Sequence, residues 1–148
     1  MYSVMDLYHG IHKVIGIPIV FDYHHHKFCT GDLSEEAALH LASKTWPDGI
    51  KQCVHYSESK ALHENNPKIK PQAHSDYIHD KINSWGLPLD IMVESKAKEL
   101  SIQDYEQYIL NWLIDSQWVN LVNLNMTEKS VANALITRTM DFEQQFAY

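Results

Sequence analysis

Arginine is nearly absent from this 148-residue chain: Arg138 stands alone, and lysine supplies the rest of the 12 basic side chains against 19 acidic ones. A formal charge of −7, acidic in both its first hundred residues and its remainder, is the opposite of the basic footprint that a self-sufficient DNA-binding domain needs. Cysteine is scarce too. Cys29 and Cys53 are too few for a disulfide framework, which points to a reducing compartment. Without a Cys-x-x-Cys pair they read as free thiols rather than a zinc site. No apolar run approaches the ~20 residues of a membrane-spanning helix. The opening MYSVMDLYHG has neither the basic nor the apolar segment of a secretory leader. The expectation is a soluble intracellular protein, cytoplasmic or nuclear, with no membrane partner.

What is abundant is histidine. All ten lie before residue 80, and on an acidic chain such enrichment points to metal before nucleic acid. With 45% hydrophobic and 21% charged residues, the composition is that of an ordinary globular domain.

Hydrophobic spacing alternates between two periods along the chain. Val4, Leu7, Tyr8, Ile11, Val14 and Ile15 recur at helical spacing behind Ser3, and Gly16 stops that helix. Residues 17–21 (IPIVF) read as a short buried strand ending in Asp22-Tyr23-His24-His25-His26. Asp32-Leu33-Ser34-Glu35-Glu36 opens a helix with Ala37, Ala38, Leu41 and Ala42 on its inner face. A second strand runs from Ile50 to His55. Residues 57–73 form a long polar loop, of the kind that is usually functional in a compact domain. Ser75 is placed to cap a helix bearing Ile78, Ile82 and Trp85, stopped by Gly86 and Pro88. The third strand, Leu89–Val93, ends on Glu94. A helix from about Lys96 carries Leu100, Tyr105, Ile109, Trp112 and Leu113, and Thr127 could cap a last one with Val131, Leu135 and Ile136.

This alternation predicts βαβ units around a parallel sheet. Strand starts lie roughly 30–40 residues apart, the repeat of a (β/α) barrel, but a closed barrel needs eight units and about 250 residues. The expected fold is therefore α/β: either a small open domain or a partial (β/α) TIM-type barrel of about three parallel strands, with a helical tail.

Each strand delivers a metal-ligand residue at its C-terminal end, namely Asp22, His55 and Glu94, on the face where such folds build their active sites. His25, three residues past Asp22, can reach the same cavity, and His74 can fold over the top. Five mixed carboxylate and imidazole donors suit two or three divalent ions better than one. Clustered ions serve phosphodiester hydrolysis by acidifying a bound water and neutralising charge on the attacking and leaving oxygens. Within the histidine triplet, His25 is the expected ligand, with His24 and His26 turned away. His9, His12, His40, His63 and His79 read as surface or boundary residues. Lys60, Lys68 and Lys70 read as a solvated loop, and Tyr23 and Tyr56 either pack in the core or stack on a nucleotide.

Gly16-Ile17-Pro18-Ile19-Val20-Phe21-Asp22-Tyr23-His24-His25, Val54-His55-Tyr56-Ser57, Ala73-His74-Ser75-Asp76-Tyr77-Ile78 and Met92-Val93-Glu94-Ser95-Lys96-Ala97-Lys98 follow one another as in the UV damage endonuclease family. The chain resembles the C-terminal half of that family over about residues 2–100, leaving 101–148 as a helical extension of unknown role. The resemblance implies a metal barrel, usually manganese-loaded with zinc or magnesium as alternatives, that nicks damaged double-stranded DNA on the 5′ side of the lesion to start excision repair. It assigns Asp22, His25, His55, His74 and Glu94 as metal ligands and a metal-bound hydroxide as the attacking species, and it names no side chain as catalytic or nucleic-acid-binding. The family's earlier histidines, its bridging glutamate and its DNA-wedging residues have no counterpart here. Cys53 replaces a lysine often found two residues before the His55 position. The resemblance thus implies self-association or a separately encoded N-terminal half. Two other readings stay open: a different divalent-metal barrel enzyme, such as a sugar isomerase, and a non-catalytic remnant.

Overall fold

The computed structural model describes residues 1–123, and the side chains of residues 1–112. The expectations for Leu113 and for the tail beyond Trp118 therefore lie outside the described side chains or residues. Two compact units divide the chain, Met1–Tyr105 and Glu106–Tyr148. The described part of the second is the continuation of one long helix.

The first unit begins with α1 (Val4–Leu7), a π-helical turn (Tyr8–His12) and α2 (Lys13–Ile15). Ser3 starts it through a reciprocal cap: the Ser3 hydroxyl accepts from Asp6 N at 3.2 Å and the Asp6 carboxylate accepts from Ser3 N at 2.9 Å. Those bonds hold the Asp6 carboxyl below its usual range. Gly16 ends the helix in the left-handed region, φ 73°, where a glycine pays no steric cost.

The expected strand over 17–21 shortens to β1 (Phe21–Asp22). Pro18 has no N–H to give a ladder, and side chains take both backbone groups of Ile19. Its N–H bonds Thr45 Oγ1 at 2.8 Å, and its carbonyl accepts from the Trp46 indole at 2.9 Å. Next come α3 (Tyr23–Phe28), α4 (Glu35–Ser43), β2 (Gln52–Tyr56), α5 (Lys60–His63), β3 (Leu89–Val93) and α6 (Glu99–Asn123). The α4 helix starts on Ser34, whose hydroxyl accepts from Ala37 N at 3.2 Å. Asp32, at φ 60°, belongs to the preceding turn.

The sheet is parallel, in the order β1-β2-β3. Its register sets Phe21 beside Val54 and Asp22 beside His55, then His55 beside Met92 and Tyr56 beside Val93. Because side chains alternate along a strand, Phe21, Val54 and Tyr56 share one face and Asp22, His55, Met92 and Glu94 the other. The first face is the core, where those residues pack with Ala38, Leu39 and Ala42 of α4, Val4, Ile19, Tyr23 and Ile78. Full burial of a side chain such as Leu39 is worth about 2–3 kcal/mol. Together with its helices, the parallel sheet is a partial (β/α) barrel.

The helix expected after Ser75 does not form; residues 74–88 are irregular. Their backbone groups have long-range partners instead. The Ser75 carbonyl, which a helix would give to His79 N, accepts from Lys96 N at 3.0 Å, and the Asp76 carbonyl accepts from Ala97 N at 2.9 Å. His79 N and Asp80 N both bond the Glu58 carboxylate, and Ile82 N donates to the Tyr105 hydroxyl at 2.9 Å. In α6, Tyr105 packs against the core as its spacing predicts, whereas Leu100 is exposed.

Candidate metal centre at the strand ends

Asp22 closes β1 and caps α3 at once, accepting from His25 N at 2.9 Å through Oδ1. Its other oxygen, Oδ2, lies 2.5 Å from His25 Nδ1 and 4.0 Å from His55 Nδ1. His55 Nδ1 in turn lies 3.1 Å from Glu94 Oε1. Glu94 immediately follows β3, and its N–H donates to the Tyr56 carbonyl at 2.9 Å, which fixes where its side chain leaves the sheet. One donor atom each from Asp22, His55 and Glu94 falls within 4.8 Å of the other two.

His74 joins by a different route. An antiparallel bridge between Ser59 and His74 brings it over the sheet, and its Nδ1 lies 2.9 Å from the Glu94 carbonyl oxygen. A carbonyl only accepts, so Nδ1 carries the proton, and in that tautomer Nε2 is the nitrogen left to bind an ion. Bonds of this kind commonly orient metal-binding histidines. Of the five residues singled out from the sequence, the fold brings Asp22, His55 and Glu94 into mutual reach, while His25 bonds Asp22 and His74 bonds the backbone of Glu94.

The histidine triplet divides as its position in α3 dictates. His25 faces Asp22 and solvent, while His24 and His26 are buried. The His24 Nε2 lies 3.2 Å from the Gln72 carbonyl, and its ring centroid lies 5.0 Å from that of His74. Burial lowers the pKa of both His24 and His26. These two rings are thus packing elements behind the site.

The donor set is two carboxylates with imidazoles and no thiolate, a chemistry that fits manganese, zinc or magnesium. Convergence of Asp22 and Glu94 on His55 leaves like charges close together, which a divalent cation would relieve. The residues present fit such an ion.

Reading the sequence alone misses a second convergence. Glu58, His63 and His79 also bring donor atoms within 4.8 Å of one another. The sequence sets His63 in an expected loop and His79 in an expected helix, with no spacing rule to link them; in the structure His63 closes α5. The one available signal was an acidic residue just past a strand-end histidine.

The family model described as UV-endonuclease UvdE matches residues 1–132. Over 107 residues the chain is 35% identical to the UV-damage endonuclease of Schizosaccharomyces pombe, covering 68% of this chain and 17% of that protein. It is 31% identical over 97 residues to the UV DNA damage endonuclease of Bacillus velezensis, covering 59% and 28%. Among solved structures, SacUVDE superimposes with a TM-score of 0.53 at 32% identity, covering 67% of this chain and 32% of that one. The chain thus spans a third or less of the length of these relatives. A parallel sheet ending in Asp22, His55 and Glu94, together with the match over residues 1–132, places the chain in the UV-endonuclease UvdE family.

Proposed function

We propose that this chain supplies part of the active site of a repair endonuclease that nicks UV-damaged double-stranded DNA on the 5′ side of the lesion. In this reading residues 1–100 are the C-terminal half of the barrel and 101–148 an extension. Asp22, His25, His55, His74 and Glu94 hold divalent cations, manganese by preference. The observation that carries it is the convergence of Asp22, His55 and Glu94 within 4.8 Å at strand C-termini, supported by relatives named for this activity.

Bound divalent ions would supply Lewis acidity, making a water nucleophilic at neutral pH and neutralising charge on the phosphodiester. The side chains supply the frame. Asp22 and Glu94 provide negative charge on either side of His55, His25 braces Asp22, and the Glu94 carbonyl orients His74.

The site needs the rest of the barrel. Both outer strands of the described sheet, β1 and β3, have one unpaired edge among the described residues, and such edges invite further strands. Val14, Ile15, Ile17 and Val20 near β1, and Ile91 and Met92 on β3, are exposed, which suits an apolar neighbour. We infer that an N-terminal half-barrel, or a second copy of the chain, covers them. Among the described residues no helix is long and apolar enough to cross a membrane, in keeping with an intracellular repair role.

The test is nicking of irradiated and unirradiated duplex by the chain together with a family N-terminal half, with and without manganese. Manganese-dependent cleavage 5′ to lesions, confined to irradiated DNA, supports the proposal. Inertness toward DNA with turnover of a sugar, or a folded assembly that takes up no metal, overturns it.

A further inference from the structure

We propose that Glu58, His63 and His79 form a second divalent-cation site, of zinc type, sharing no ligand with the strand-end centre. Glu58 lies just past β2 and is 4% exposed. Its Oε1 accepts from the Tyr56 hydroxyl at 3.1 Å, from His79 N at 3.0 Å and from Asp80 N at 2.9 Å. These donors hold the carboxylate in one orientation, as outer-shell partners of a metal ligand do. Oε2 points to the His63 ring, with Nε2 at 3.0 Å.

One donor atom each from Glu58, His63 and His79 lies within 4.8 Å of the other two, close enough for one cation to accept a lone pair from each ring beside the fixed carboxylate. Ser75 Oγ lies 3.3 Å from His79 Nε2 and helps orient that ring. A cavity of about 220 Å³ opens beside Glu58 and His63, lined also by Lys27, Ser59, Leu62 and Asp80, with room for a water as fourth ligand. Two imidazoles and one carboxylate are a recurrent zinc donor set.

The site would act as a clip. His63 belongs to α5 and His79 to the irregular segment 74–88, and Glu58 ties both to the end of β2. His74 hangs on the same frame through its bridge to Ser59 and through Ser75 N, which donates to the Glu58 carbonyl at 2.8 Å. An ion here would steady His74 without touching it.

Calorimetric titration of the full chain with zinc chloride tests the site in a background lacking the strand-end donors (Asp22→Asn, His55→Ala, Glu94→Gln). One zinc per chain is expected to remain. Adding His63→Ala and His79→Ala should weaken its binding by more than the ~10- to 100-fold that loss of an outer-shell partner costs. Substituting His63→Cys instead, which keeps a ligand, should retain it. No zinc bound in that background, or equal affinity after both alanine substitutions, overturns the proposal. Should an alanine variant fail to fold by circular dichroism, cobalt(II) loading of the His63→Cys chain decides. A thiolate-to-cobalt charge-transfer band that the unsubstituted chain lacks supports the site, and its absence overturns it. Neither readout depends on DNA cleavage, so the clip and the proposed endonuclease activity stand or fall separately.

Discussion

His74 donates from Nδ1 to the main-chain carbonyl of Glu94 across 2.9 Å, so a strand-end residue orients the histidine of a neighbouring loop through its backbone rather than its side chain. That bond sets the tautomer. Nitrogen-detected NMR of the histidine rings should show His74 protonated at Nδ1 in the metal-free protein. A ring protonated at Nε2 would mean that it is turned away from the site.

Asp22 has two separable jobs, which two substitutions can divide. Asp22→Asn keeps an oxygen for the α3 cap and should leave stability nearly unchanged while weakening manganese binding at least about tenfold. Asp22→Ala loses both and should cost about 1 kcal/mol in addition. Denaturant melts paired with manganese titrations separate the two effects.

Glu58 is a structural hub whether or not a cation is bound. Replacing it with leucine strands the N–H groups of His79 and Asp80 and the Tyr56 hydroxyl, all of which end on its Oε1. Tyr56 is buried whereas His79 and Asp80 are exposed, so at about 1–3 kcal/mol for a buried group left unpaired the metal-free protein should lose roughly 2 kcal/mol. An equilibrium melt showing less than about 1 kcal/mol would remove Glu58 from this role.

Tyr23 should govern part of the alkaline limb of stability. Its hydroxyl donates to the Asn83 carbonyl at 2.6 Å, and burial raises its pKa well above the usual 10.0. The unfolded phenol ionises near 10 while the folded one stays protonated. The stabilisation is therefore complete below pH 10 and lost as pH rises beyond it. Tyr23→Phe should cost about 1 kcal/mol at neutral pH and flatten the decline above pH 10. Tyr56, raised for the same reason, keeps part of the slope.

Gly31 cannot carry a side chain. At φ 59°, an added Cβ would meet Ser3 Cβ and Oγ at 2.5 Å, against the residue that caps α1. Left-handed strain of roughly 1–2 kcal/mol adds to the steric displacement of that cap. Gly31→Ala should lower the melting midpoint measurably, whereas Gly10→Ala, with open space around it, should not.

Local chemistry made much of this protein legible in advance. Ser3 ahead of a helical run, the alternating apolar periods and the strand-end ionisable residues each act over a few neighbours, and they predict the parallel α/β order and the Asp22, His55 and Glu94 constellation. Side-chain alternation along paired strands then requires those three to share a face. Tertiary structure alone decided where backbone N–H groups found partners over long distances. The IPIV stretch gave up its ladder because Thr45 and Trp46 took the backbone of Ile19. Residues 75–85 gave up a helix because Lys96, Ala97 and Glu58 claimed its hydrogen bonds. The same folding-back of segment 74–88 carries His79 to His63 and Glu58, a meeting that no local pattern encodes.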